Sequence, residues 1–155
     1  MVNILNQLLQ EEQELQFTSF NEATAWQLGC DLVERAVKED LLVTIDITRG
    51  NHQLFHASLR GTSVDNDEWI KRKVRLVYRF GHSSFYIGQL LKSKGKRIEE
   101  AYLISESDYA PHGGCFPVIV RDTGMIGMIT VSGLAQEEDH KLVVRAITDY
   151  LAQEK

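Results

Sequence analysis

Apolar residues recur at helical spacing at the start of the chain: Ile4, Leu5, Leu8, Leu9 and Leu15. The pattern predicts an N-terminal helical extension over residues 1–16. A short Leu15-Gln16-Phe17-Thr18-Ser19 piece follows with the composition of a strand. Ser19 and Glu22 then have the spacing of a capping box and open a longer helix. Trp26, Cys30, Val33 and Val37 are expected to form its buried stripe. Leu42 to Arg49 carries β-branched residues at alternate positions and reads as a strand. Gly50-Asn51 is a two-residue turn signal, and Gln53 to Leu59 returns antiparallel.

The segment from Gly61 to Phe80 has its acids early and its bases late, which complements a helix dipole. Trp69 or Ile70, then Val74, Val77 and Phe80, supply its inner face. Gly81-His82 breaks it, and Ser83 or Ser84 caps a short helix that runs to Gly95. Residues 96–111 are polar and predict a helical or irregular excursion. Phe116 to Arg121 is a strand, Asp122-Thr123-Gly124 a turn, and Met125 to Ser132 the partner strand. Ala135 to Ala152 is a helix with Val143, Val144, Ile147, Tyr150 and Leu151 on its apolar face. Hairpins separated by helices argue for an α/β (α+β) fold, an antiparallel sheet flanked by helices, rather than a doubly wound parallel sheet. One face of such a sheet is often left for a ligand or another subunit.

Length changes little in this picture: 155 residues suit one domain over 1–155. The net charge of -5 argues against general binding to nucleic acid or to an anionic membrane. No apolar run reaches the length of a membrane span. The acidic N-terminus lacks a basic region and a small-residue cleavage site, so it does not read as a signal peptide. The expectation is a cytoplasmic protein in which Cys30 and Cys115 are thiols.

The candidate chemistry sits in three polar, glycine-bearing clusters. Thr62, Ser63, Asp65, Asn66 and Asp67 exceed what one helix cap needs, so part of the cluster is available to a ligand. His82, Ser83 and Ser84 stand at a helix start, where free N–H groups can hold an anion. His112, Gly113, Gly114 and Cys115 combine potential haem-iron ligands with backbone freedom. His82, His112 and Cys115 are the candidates for acid, base or nucleophile. His52 and His56 mimic a metal pair, but on a strand their spacing is too long for one ion, and no metal is expected. The run Lys71-Arg72-Lys73-Val74-Arg75 reads as a salt-bridged outer face rather than a nucleic-acid contact.

The stretch from His112 to Val144, with its Gly-Gly-Cys-Phe-Pro, Thr-Gly turn, Gly-Met-Ile-Thr-Val-Ser-Gly and Asp-His-Lys-Leu-Val elements, resembles the haem-degrading, HbpS-like and GlcG-like superfamily. Gly61 to Lys73 and Val77 to Gly88 look like its uncharacterised cytoplasmic branch. The resemblance implies an antiparallel sheet of about five strands, profilin- or PAS-like, and homo-oligomers, dimers or larger rings. It also implies haem or another tetrapyrrole or planar molecule as the ligand, with slow haem degradation in some branches. Three functions stay open: a small-molecule or haem-binding protein, a homo-oligomeric interaction module, and an enzyme on a small metabolite using His82 or His112. The three clusters are expected to converge on one pocket or subunit interface.

Overall fold

The computed structural model describes residues 3–154. The elements run α1 (Ile4–Glu14), α2 (Glu22–Lys38), β1 (Thr44–Arg49), β2 (His52–Ser58), α3 (Val64–Phe80), α4 (Ser84–Lys94), α5 (Ile98–Tyr102), β3 (Cys115–Val120), β4 (Gly124–Ser132) and α6 (Gln136–Gln153). The sheet has four strands in the order β2-β1-β4-β3, and every pairing is antiparallel. A fifth strand was expected, and Phe17 shows why the count differs. It makes a single parallel bridge to Val120, with its N–H donating to the Ile119 carbonyl at 2.7 Å. Thr18 and Ser19 do not continue that ladder.

Side chains alternate across a strand, and here the two faces differ in kind. Ile45, Ile47, Phe116, Val118, Ile129 and Val131 point to one face and pack under α2 and α6. The other face carries Thr44, Asp46, Thr130 and Ser132, all buried, with α3 crossing over it. Register places Asp46 opposite both His56 and Thr130, and Thr44 opposite both Ser58 and Ser132. A polar layer therefore lies inside the protein beneath α3.

α2 meets the sheet closely enough that a Cβ on Gly29 would run into the Phe55 ring. Its inward residues are Ala25, Leu28, Leu32 and Ala36. The expected stripe is thus rotated: Trp26 is 63% and Val37 68% exposed. Leu28 and Leu32, large and unbranched at Cβ, win the core face because Gly29 and the two alanines let the helix approach the sheet. The cap also moves. Asn21, not Ser19, receives the Thr24 N–H at 3.0 Å, and the Thr24 hydroxyl oxygen accepts from the Asn21 N–H.

α1 is held by two neighbouring acids. Glu12 is buried and accepts from the Ser83 N–H at 3.0 Å, with the His82 Nδ1 at 2.8 Å. Glu11 lies 2.7 Å from the Nε2 of buried His140. The basic run of α3 pairs Lys71 with Glu68, while Arg72 and Arg75 donate to the carbonyls of Glu106 and Asp108. Those bases tie down the polar excursion after α5, which is why it needs little regular structure of its own.

Candidate functional site

α3 begins with local chemistry that consumes most of its first polar cluster. The Ser63 hydroxyl accepts from the Asp65 N–H, and the Asn66 side chain accepts from the Ser63 N–H at 3.0 Å. Thr62 donates to the Leu59 carbonyl at 2.6 Å. Asp67 turns toward β2, its Oδ1 3.3 Å from the His56 Nε2. Asn66 has a second role: its amide group reaches Ser132, at 3.4 Å from both carbonyl and hydroxyl.

Two turns along α3, Lys73 points into the protein and is 3% exposed. Its ammonium donates to the Val131 carbonyl at 3.1 Å and to the Asp139 Oδ2 at 3.3 Å. Asp139, on the first turn of α6 and 2% exposed, also accepts from the Leu134 N–H at 2.9 Å and the Gly133 N–H at 3.4 Å. Burial lowers the Lys73 ammonium and raises the Asp139 carboxyl to about 6, in each case against the pull of the partner. Both shifts agree that desolvation outweighs attraction, as is usual for an ion pair taken out of water. Gly114 makes room for this pair. At φ 137° it adopts backbone that other residues avoid, and a Cβ there would collide with the Val131 carbonyl and the Lys73 Nζ.

The pair forms the floor of a cleft of about 350 Å³. Asn66 and Trp69 of α3 make one wall, and Ser132 to Leu134 with Gln136 make the other. His112 closes the rim, its ring edge-on to Trp69 at 5.5 Å, while the Arg72 guanidinium lies over the same indole, 4.5 Å from its ring centre. Half-burial lowers the His112 imidazole from its usual value, so it is neutral at pH 7. The Gly113 N–H donates to the Gln136 side chain at 3.0 Å, which fixes the Gly-Gly turn against α6. A larger groove near Leu15, Arg121 and Leu151 has no buried charged group.

Asn66 and His112 thus share one cleft, with Gly113 and Gly114 as backbone support. Thr62, Ser63, Asp65 and Asp67 do not line it. Nor does the cluster at residues 82–84: His82 pairs with Glu12, Ser83 caps α4 through the Tyr86 N–H, and Ser84 accepts from the Cys115 N–H at 3.0 Å. Cys115 is fully buried and its thiol is pushed up to about 12 by that burial, which corrects its candidacy as a nucleophile. His56 faces Asp46 through Nδ1 at 2.9 Å, while its Nε2 lies 3.4 Å from the Ser58 hydroxyl and 3.3 Å from the Asp67 Oδ1, which has no hydrogen-bond partner among the described residues. Among the described residues no group of three or more His, Cys, Asp or Glu side chains could hold a metal, and no helix is long and apolar enough to cross a membrane.

Sequence reasoning missed Lys73, Trp69, Ser132 and Gln136 as site residues. One signal was available. Lys73 stands three residues after Ile70 and four before Val77, on the face that the hydrophobic pattern assigns to the core.

Comparison with known proteins adds three kinds of likeness. The family described as haem degrading protein HbpS-like matches residues 20–148. A UPF0303 protein of Psychromonas ingrahamii is 47% identical over 95% of this chain and 92% of its own. The crystal structure of Ybr137w protein is 36% identical, with a TM-score of 0.88 over 97% of this chain and 88% of that one. The crystal structure of a PduOC:heme complex shares the fold at 20% identity, with a TM-score of 0.67 over 85% of this chain and 94% of its own.

Proposed function

The chain belongs to the HbpS-like family, described as haem degrading, and from that premise we propose that it is a small-molecule-binding protein whose site is the cleft between α3 and the β4–α6 turn. One observation carries the reading. A buried ion pair is a poor way to hold a fold together, since apolar side chains of similar size do it as well or better. Lys73 and Asp139 stand at the base of a cleft, where a charge has a use. Trp69 and Leu134 offer contact area, and Asn66, His112, Ser132 and Gln136 offer polar anchors. This is the make-up of a ligand site, at the small end of the usual size range of roughly 300–1,000 Å³.

The family's namesake ligand fits this cleft poorly. A porphyrin has two broad apolar faces, and only Trp69 and Leu134 among the lining residues are large and apolar. The ion pair on the floor would lie against the macrocycle without water. A fragment library followed by amide NMR tests the proposal, with hemin titrated in parallel and read by its Soret band. Saturable shifts at Gly133, Leu134 and the Trp69 indole, lost in Trp69→Ala, are expected. If no compound moves those signals, the cleft is not a binding site. A saturable Soret shift in wild type that survives in Trp69→Ala would place haem elsewhere.

A second reading rests on α2. Trp26 and Val37 form an outward apolar surface with half-buried Cys30 between them, while Val33 is partly buried against the core. That surface is flanked by Glu34 and Lys38, opposite charges that a two-fold copy can match, while Arg35 is already paired with Asp31 and Asp149. We infer a homodimer with α2 packed antiparallel on α2 and Cys30 near the axis. Mild oxidation is expected to cross-link the dimer through Cys30. A protein that runs as a monomer by light scattering and gives no Cys30 cross-link would refute it.

A further inference from the structure

We infer that the ligand of this cleft is a small carboxylic acid, its carboxylate received by the third N–H of Lys73 and by the open amides at the start of α6. The inference rests on the cleft being a binding site and goes on to name what it takes. An ammonium has three N–H bonds. Those of Lys73 have two acceptors, the Val131 carbonyl and Asp139, and the side chain is 3% exposed on the cleft floor. Among the described residues the third N–H has no acceptor, and Lys73 lines the cleft.

α6 supplies the second half of the site. It is an 18-residue helix, and its N-cap, Ala135, has no side chain able to cap it. The Glu138 and Asp139 N–H groups return to the Ala135 carbonyl, while those of Gln136 and Glu137 donate to no group among the described residues. Asp139 is spoken for: Lys73 and the Gly133 and Leu134 amides occupy its oxygens. Glu137 pairs outward with Lys141 at 3.2 Å. The Ser132 hydroxyl and the Gln136 amide group add neutral donors to the same wall. The free polar groups of the cleft are therefore mostly donors, at the N-terminal end of a helix whose first turn carries Glu137, Glu138 and Asp139.

Charge balance and size narrow the class. Lys73 and Asp139 cancel, so the floor offers donors without a large positive field. That suits a monoanion shared among several N–H groups rather than a phosphate dianion, which draws on clustered Arg or Lys. Trp69 and Leu134 flank the carboxylate position and would take a short carbon chain or a ring.

The test compares propionate and benzoate with propionamide and benzamide, neutral molecules of the same shape, and with inorganic phosphate. Amide NMR of the wild-type protein is the readout, so no variant need fold. The acids are expected to shift the Gln136 and Glu137 amides saturably, at least tenfold more tightly than the amides or phosphate. Lys73→Gln is expected to abolish that preference if it folds. Amides or phosphate binding as tightly as the acids would overturn the carboxylate assignment and leave the cleft as a site for other ligands. Silence from every probe here and from the fragment library would overturn both.

Discussion

Replacing Lys73 by Met keeps most of the side-chain volume and removes the cation from the Asp139 carboxylate. Breaking one half of a buried pair leaves an uncompensated charge, and the expected loss of stability at pH 8 is about 3–5 kcal/mol. The pH dependence follows from Asp139. Its carboxyl is raised from 3.8 to about 6 by burial, so the fold favours the protonated acid. The stability it contributes is present below about pH 4 and is lost as pH rises through about 6. In Lys73→Met the ionised form has no cation beside it, and the folded-state value rises further. At pH 5 both proteins bury a neutral acid, and the gap between them shrinks to the lost hydrogen bonds, about 1 kcal/mol. Above about pH 6 the gap opens by about 1.4 kcal/mol per pH unit until the carboxyl of the variant ionises. Urea unfolding at pH 5 and pH 8, at one fixed protein concentration, measures both ends. Adding Asp139→Asn to the variant is expected to recover most of the loss at pH 8. A penalty equal at the two pH values, or below about 1 kcal/mol at pH 8, would refute a buried charged pair.

Three further outcomes follow from the same geometry. Cys115, buried and pushed up to about 12, should resist alkylation in the native protein and react only on unfolding, while half-buried Cys30 reacts first; mass-mapped iodoacetamide labelling decides it. Glu12→Ala leaves the buried Ser83 N–H without its acceptor and should cost about 1–3 kcal/mol in urea unfolding, whereas Glu14→Ala on the same helix should cost almost nothing. The His112 ring should titrate below the usual histidine value in a proton NMR series, because its burial disfavours the imidazolium; a midpoint at or above 6.5 would contradict the packing against Trp69.

Local rules in the sequence were enough for the hairpins and for the caps of α3 and α4. Gly50-Asn51 and Asp122-Thr123-Gly124 are turn residues with their own backbone preferences, and Ser63 and Ser83 act on amides two or three positions away. Such contacts need no knowledge of the rest of the chain. The resemblance carried by the residues from His112 to Val144 identified the family.

Three features needed the tertiary structure. Which stripe of α2 faces inward was decided by Gly29 meeting Phe55, a contact between residues 26 positions apart, and it turned Trp26 and Val37 outward. The polar face beneath α3 was invisible because alternation in a strand reports two faces without saying what covers each. Thr44 and Asp46 are buried on the face that α3 crosses. The cleft itself joins Lys73 to Asp139, 66 residues later, and both to the Gly114 backbone. In the sequence Lys73 is one base in a run of bases. Only the crossing of α3 over β4 takes it out of water and leaves it beside a single carboxylate, and burial is what gives that charge its meaning.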